Sequence, residues 1–255
     1  MKLASWNVNS IRARLDRVVE WIDRNRPDVL CLQETKVADD LFPREPFESR
    51  GYQVTAFGQK TYNGVAIVSR QPAADVVRGL PLPNPDPGSR LLCATVADLR
   101  VVNVYVPNGR AVDSPYFAQK LDWLRRLSGY LDETARPSDA IVLCGDFNVA
   151  PEDRDVHDPA AYRDQVHCHP EERKALAEVA AFGLIDVVRR HHPESGLYSW
   201  WDYRQGAFHR NRGLRIDHVW ATESVAARCS GAAIDRDARK GKQPSDHAPV
   251  IAEIA

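Results

Sequence analysis

Seven short apolar runs recur along the chain: Lys2–Val8, Asp28–Leu32, Gly64–Ser69, Arg100–Val106, Ala140–Cys144, Ile216–Ala221 and Pro249–Ile254. All have the length of a strand. Several are apolar at consecutive rather than alternate positions, as expected of strands covered on both faces. Helical patterns lie between them. Leu15, Val18, Val19 and Ile22 share one helical face, and Pro27 lies just past its end. Ser114-Pro115 supplies an N-cap and a first-turn proline for a helix with Phe117, Leu121, Leu124 and Leu131 inward. Pro170-Glu171-Glu172 opens another, which Gly183 can close. The order indicates an α/β protein. Pro81–Gly88 (PLPNPDPG) reads as a surface loop between strands. No composition break or tandem repeat divides the 255 residues, which predicts one large domain.

Polar residues collect where these runs stop. Asn7 and Asn9 close the first, Gln33-Glu34 the second, Tyr105 and Asn108 the fourth, Asp146 and Asn148 the fifth. Asp217 sits inside LRIDHVW, and Asp246-His247 precede the last run. Ligands of open α/β sheets bind at strand ends. A lone strand-end asparagine is usually a turn residue; six ends with complementary chemistry are not explained as turns. Asn7, Glu34, Asp146, Asn148 and Asp246 offer hard oxygens, which suit Mg²⁺ or Mn²⁺. His247 offers a proton carrier or a donor to an anion, and Asp217 can fix its tautomer. Tyr105 offers a phenol. Such a set suits in-line attack of water on phosphorus, with Asp146 taking the proton and Asn148 and His247 binding the non-bridging oxygens.

The formal net charge of −1 means that an anionic partner must be met by a local basic patch. The segment YRQGAFHRNRGLR provides one, with Arg204, Arg210, Arg212 and Arg215. Phosphates are expected there, with weaker additions from Arg12, Arg14 and Lys36. No stretch is long and apolar enough for a membrane span or a signal peptide. The five cysteines are scattered and never in CxxC spacing, which predicts a reducing, cytoplasmic setting and no structural zinc.

The segments NVNSIRAR, LQETK, GVAIVS, YVPNG, GDFNVAP, SWWDYR, NRGLRID and SDHAPV, in this order along the whole chain, resemble the exonuclease III family of bacterial class II apurinic/apyrimidinic endonucleases. GDxN and SDHAP alone are shared by a wider superfamily that includes deoxyribonuclease I and inositol phosphate phosphatases; LQETK with NRGLRID points to the DNA-repair branch. The resemblance implies a four-layered α/β sandwich, two mixed sheets face to face with helices outside. It implies Mg²⁺-dependent (or Mn²⁺-dependent) hydrolysis of double-stranded DNA at abasic sites and 3′ ends by a monomer. It makes Glu34 the main metal ligand, with Asn7, Asp146, Asn148, Asp246 and His247 around the same site. It makes Asp146 the water-activating carboxylate, Asn148 a transition-state stabiliser and Tyr105 a contact to phosphate or leaving group. His247 becomes the phosphate-binding histidine, oriented by Asp217. Trp200, Leu214 and Ile216 map onto an apolar pocket for an extrahelical sugar.

One position departs from the family. A glycine is usual about where His157 stands, in the loop after the GDxN strand. An imidazole there is expected to narrow the path of the sugar and to favour 3′-end processing over abasic-site incision. Three other readings are a 3′→5′ exonuclease and 3′-phosphatase with weak abasic incision, a superfamily phosphatase, and an inactive DNA-binding scaffold. The last is disfavoured because no catalytic position is lost.

Overall fold

Runs that are apolar on both faces need cover on both sides, and the fold provides it. A computed structural model describes residues 1–80 and 86–255; most of the loop expected at Pro81–Gly88 lies outside the described residues. The strands are β1 (Lys2–Asn7), β2 (Val29–Gln33), β3 (Gln53–Phe57), β4 (Val65–Ser69), β5 (Ala73–Arg78) and β6 (Leu91–Val96). They continue as β7 (Leu99–Tyr105), β8 (Ile141–Asp146), β9 (Leu184–Asp186), β10 (Asp217–Thr222), β11 (Cys229–Ile234) and β12 (Val250–Ile254). One sheet has the order β11-β12-β1-β2-β4-β3 and the other β5-β6-β7-β8-β10-β9. Both are mixed: β1 is parallel to β2 and β7 to β8, while the other neighbours are antiparallel.

Leu3, Cys31, Ile67, Val101, Cys144, Val219 and Val250 fill the space between the sheets. The opposite face of β1 and β2 (Ala4, Trp6, Leu30, Leu32) is covered by Val18, Trp21 and Ile22 of helix Ile11–Asn25. Val104, Leu143 and Trp220 of the second sheet are covered by Trp123, Leu124, Leu127 and Leu131 of helix Pro115–Thr134. Helix Pro170–Ala180 adds Leu176 and Val179. The result is helix, sheet, sheet, helix, the four-layered sandwich expected. All seven predicted strands are present.

A polar staple joins the sheets just below one end. Asn103 of β7 donates to the carbonyls of Leu32 (3.1 Å) and Ala66 (2.9 Å) across the interface, and its oxygen accepts from Gln33 Nε2 (2.7 Å). Both residues are fully buried. Removing Asn103 takes a donor from the Leu32 and Ala66 carbonyls and an acceptor from Gln33 in a dry interior. Asn103→Ala should therefore lower unfolding free energy by about 1–3 kcal/mol in a urea titration; an unchanged midpoint would mean that water or repacking replaces the staple.

Candidate active site

The strand tips converge. Antiparallel pairing sets Asp217 at the start of β10 opposite Asp146 at the end of β8. Parallel pairing aligns the ends of β1 and β2, so that Asn7 and Gln33 are neighbours and Glu34 follows. Gly145 permits the approach of β8 to β7: its φ is +146°, and a Cβ there would lie 1.9 Å from the Val104 carbonyl oxygen. Glu34 and Asn148 follow at φ of 49° and 52°. These are sharp left-handed turns that bend both side chains into the cleft.

Asn7 donates to Glu34 Oε1 (2.9 Å) and to Asp146 Oδ2 (2.9 Å), while its own oxygen accepts from the Asn9 N–H (3.0 Å). Its amide hydrogens, not its oxygen, face the carboxylates. Asn148 is used in a similar way. Its backbone N–H donates to Asp146 Oδ1 (2.9 Å), its amide nitrogen to the Val106 carbonyl (3.0 Å) and Asp146 Oδ2 (3.3 Å), and its oxygen accepts from Asn108 (3.1 Å). Both asparagines hold Asp146.

Asp217 Oδ2 lies 2.8 Å from His247 Nδ1 and also accepts from Ser199 Oγ (2.6 Å). This pins a proton on Nδ1 and turns Nε2 toward Asp146, 3.8 Å from Oδ2. Burial opposes charge on His247, but Asp217, Asp146 and Asp246 outweigh it and lift the pKa to about 10. Charged, the ring can donate its Nε2–H to an anion. Burial pushes Asp146 up to about 7 in spite of His247. Burial, with Glu34 and Asp146 nearby, holds the Tyr105 phenol well above its usual range, and it keeps its proton.

Ligand atoms of Glu34, Asp146 and His247 lie within 4.8 Å of one another. With the histidine charged, the two carboxylates are the hard-oxygen pair that fits Mg²⁺ or Mn²⁺. Asp246 stands beside them, accepting from Asn9 Nδ2 (3.0 Å) and Trp200 Nε1 (3.0 Å). Lys36, expected on the DNA backbone, instead reaches Glu34 Oε2 (2.8 Å) and Asn9 Oδ1 (2.7 Å).

On the expected DNA side, Trp200 is half-buried and Trp201 is core. Leu214 and Ile216 are fully buried behind Trp200, backing it without reaching the surface. Arg210 and Arg212 are exposed, as are Arg12 and Arg204; Arg204 pairs with Asp202. Arg14 donates to Tyr203 Oη (3.1 Å). Arg215 does not belong with them. It is 1% exposed and bound to Asp155 (2.6 Å), Asp186 (2.7 Å) and His218 (2.9 Å). Arg189 shares Asp155. The network ties the loop after β8 to β10, and Arg215 cannot contact phosphate.

His157 lies in the loop after β8 and lines a cavity with Trp200. It is held by the Gly213 carbonyl (3.2 Å) and set edge-on to Tyr162, outside the catalytic cluster. The imidazole beside the site belongs to His167. Its Nδ1 lies 2.6 Å from the Asn148 carbonyl and its ring centre 6.2 Å from that of Trp200. Burial, with Lys120 nearby, lowers its pKa to about 3, so the ring is neutral. No motif marks this residue in the sequence. Lys120, which also donates to the Asn148 carbonyl (2.6 Å) and pairs with buried Glu172, did carry a signal. It is a lysine on the inward face shared by Phe117 and Leu124.

Residues 4–247 match the endonuclease/exonuclease/phosphatase family. The chain belongs to that family. Exodeoxyribonuclease III of Haemophilus influenzae is 37% identical over 266 aligned positions, spanning all of both chains. A solved AP endonuclease from Archaeoglobus fulgidus is 42% identical with a TM-score of 0.96, covering 100% of this chain and 99% of that one. A 3′ phosphatase from Neisseria, bound to a product DNA hairpin, is 44% identical with the same TM-score and coverage. This member of the endonuclease/exonuclease/phosphatase family is thus a phosphodiester hydrolase, a nuclease of DNA repair, with a carboxylate cluster suited to a metal ion. Among the described residues no helix is long and apolar enough to cross a membrane.

The raised pKa of Asp146 gives a test. Because the fold lifts it above the usual 3.8, its proton stabilises the fold. That contribution is fully present below pH 3.8 and is lost as pH rises through about 7. A divalent cation competes with that proton. Mg²⁺ should raise the melting temperature more at pH 8 than at pH 5.5. Equal shifts at both values would separate the metal from Asp146.

Proposed function

We propose that the protein is a Mg²⁺- or Mn²⁺-dependent nuclease that works on 3′ ends of double-stranded DNA, removing 3′-phosphates and terminal nucleotides, with internal abasic-site incision as its weaker activity. It acts as a single catalytic domain. The observation that carries this reading is His167. Its imidazole lies between the Asn148 carbonyl and the Trp200 indole, beside the scissile position. Its φ is +80°, in the region that favours glycine, so the backbone holds a bulky side chain there against its preference. Incision inside a duplex requires a sugar to swing into that space while the strand continues on both sides. A 3′-phosphate brings no sugar beyond the phosphorus, and a terminal nucleotide has a free end.

The side chains divide the chemistry as follows. Glu34 and Asp146 would hold the cation, which supplies charge neutralisation at the phosphate oxygens. Asp146, held by Asn7 and Asn148, accepts the proton of the attacking water. His247 donates Nε2–H to a non-bridging oxygen, and Asp217 keeps the ring turned for that contact. Tyr105, protonated, offers a hydrogen bond to the phosphate or the leaving oxygen. Asp246 orients Trp200 and Asn9. Arg204, Arg210 and Arg212 on the surface meet the DNA backbone. A cytoplasmic monomer is the matching setting; the scattered buried cysteines fit a reducing compartment.

Three duplexes test the reading: one with an internal abasic site, one with a 3′-phosphate and one with a recessed 3′ end. Excess chelator should abolish turnover of all three. The 3′-phosphate should be removed at least about tenfold faster than the abasic site is cut. His167→Gly should raise abasic incision by roughly tenfold or more and leave 3′-phosphate removal within about twofold, tenfold being 1.4 kcal/mol in the barrier. Abasic incision that is already fast in the wild type, or a ratio the variant leaves unmoved, would contradict it.

Asp217→Asn tests the orienting pair independently. Without the carboxylate the imidazolium loses its main support, and kcat should fall by about 10²-fold while duplex affinity holds. A near-normal kcat would remove Asp217 from the mechanism.

A further inference from the structure

A cavity of about 330 Å³ opens beside Trp200, lined by His157, Tyr162, Trp200, Arg204 and Arg212 among others and by none of the catalytic carboxylates. None of the roles assigned above uses it. Its walls are aromatic and fixed. The His157 ring stands edge-on to Tyr162 at 5.3 Å and is anchored by the Gly213 carbonyl. Trp200 is fixed by its bond to Asp246 Oδ2 (3.0 Å). The rim is polar. Asp202 and Arg204 form a pair there, and the exposed Arg212 guanidinium has no side-chain partner among the described residues. Held rings of His157, Tyr162 and Trp200, with Asp202, Arg204, Gln205 and Arg212 beside them, suit a flat, polar-edged ring.

We propose that this cavity receives the nucleobase of the 3′-terminal nucleotide during nucleotide removal, a proposal that rests on the 3′-end reading above. The position of Trp200 argues for it. Its backbone pairs with that of His247, so one residue separates the scissile phosphate from the cavity. The nucleotide that leaves lies on the 3′ side of that phosphate, and its base reaches further out than its sugar. Stacking on aromatic walls accepts any base, because every base has a π-face. The Asp202–Arg204 pair and Arg212 offer an acceptor and donors to base edges.

Three 3′ ends make different demands on the cavity. A terminal nucleotide brings a base, a terminal baseless sugar brings none, and a 3′-phosphate brings nothing beyond phosphorus. The full-length enzyme with Mg²⁺ should be assayed on all three, as wild type, Tyr162→Ala and Tyr162→Phe. Tyr162→Ala should raise KM for nucleotide release by about tenfold, the loss of one stacking partner, with kcat little changed. Tyr162→Phe should restore it. Release of the baseless sugar and of phosphate should stay within about twofold. With 2-aminopurine as the terminal base, in chelator, the wild type should quench its fluorescence and Tyr162→Ala should not. An equal loss on all three ends, or no loss on the nucleotide, overturns the proposal. A wild type that releases no 3′-phosphate overturns the 3′-end reading itself, and this proposal with it.

Discussion

One amide holds the site together. Asn7 spans Glu34 from the first sheet and Asp146 from the second, 2.9 Å from each. Two carboxylates at that spacing repel, and burial removes the water that would otherwise screen them. The surroundings answer with positive charge. Lys36 reaches Glu34, and His247 keeps its proton between Asp217 and Asp146. The same electrostatic pressure makes the pair a cation site. The sandwich serves this arrangement by bringing the ends of central strands from both sheets to one rim, with the Asn103 staple below fixing their separation.

Beneath the rim the loop after β8 is tied down by buried charge on two sides. Asp155, Arg189 and Arg215 join it to β10, and Lys120 with Glu172 props the Asn148 carbonyl from the helices. Buried pairs of this kind add little net stability, yet loss of one partner strands the other in the interior. Their place here is positional. Asn148 at positive φ, and His167 on the same carbonyl, depend on a loop that cannot relax. This separates Arg215 from the surface arginines Arg212 and Arg210, three and five residues away. In a loop dense in arginine, the chain gives no sign of which guanidinium turns inward until Asp155 and Asp186 are seen opposite it.

Much of this was legible in the residues. The seven predicted strands, β12 among them, are all interior strands of the sheets, because a strand covered on both faces must be apolar throughout. Four of the five unpredicted strands, β3, β5, β9 and β11, are sheet edges. Their exposed positions dilute the pattern, as in β5, where only three of the residues are even half-buried. The fifth, β6, is apolar but follows the proline-rich segment, which masked its start. At the site, polar residues at strand ends pointed to side chains that the structure brings together. What the chain could not show was direction. Asn7 and Asn148 were counted as oxygen donors, yet their amide nitrogens face the carboxylates, a choice fixed by Asn9 and Asn108. The imidazole expected near the path of the sugar was that of His157, in the loop that follows GDxN; the ring of His167 also lies beside Trp200. The chain passes through a further short helix before returning His167 to the cleft, and no local pattern records that return.

The central claim is that Glu34 and Asp146 form one cation site at which phosphate is hydrolysed. The most direct measurement is anomalous diffraction at the manganese edge from crystals grown with Mn²⁺ and a duplex bearing a 3′-phosphate. The account predicts a peak within coordination distance of both carboxylates, about 2.0–2.3 Å from an oxygen of each, with the phosphate in the same shell and Lys36 withdrawn from Glu34. A peak elsewhere, or an ordered phosphate with Lys36 still on Glu34 and no manganese between the carboxylates, would contradict it.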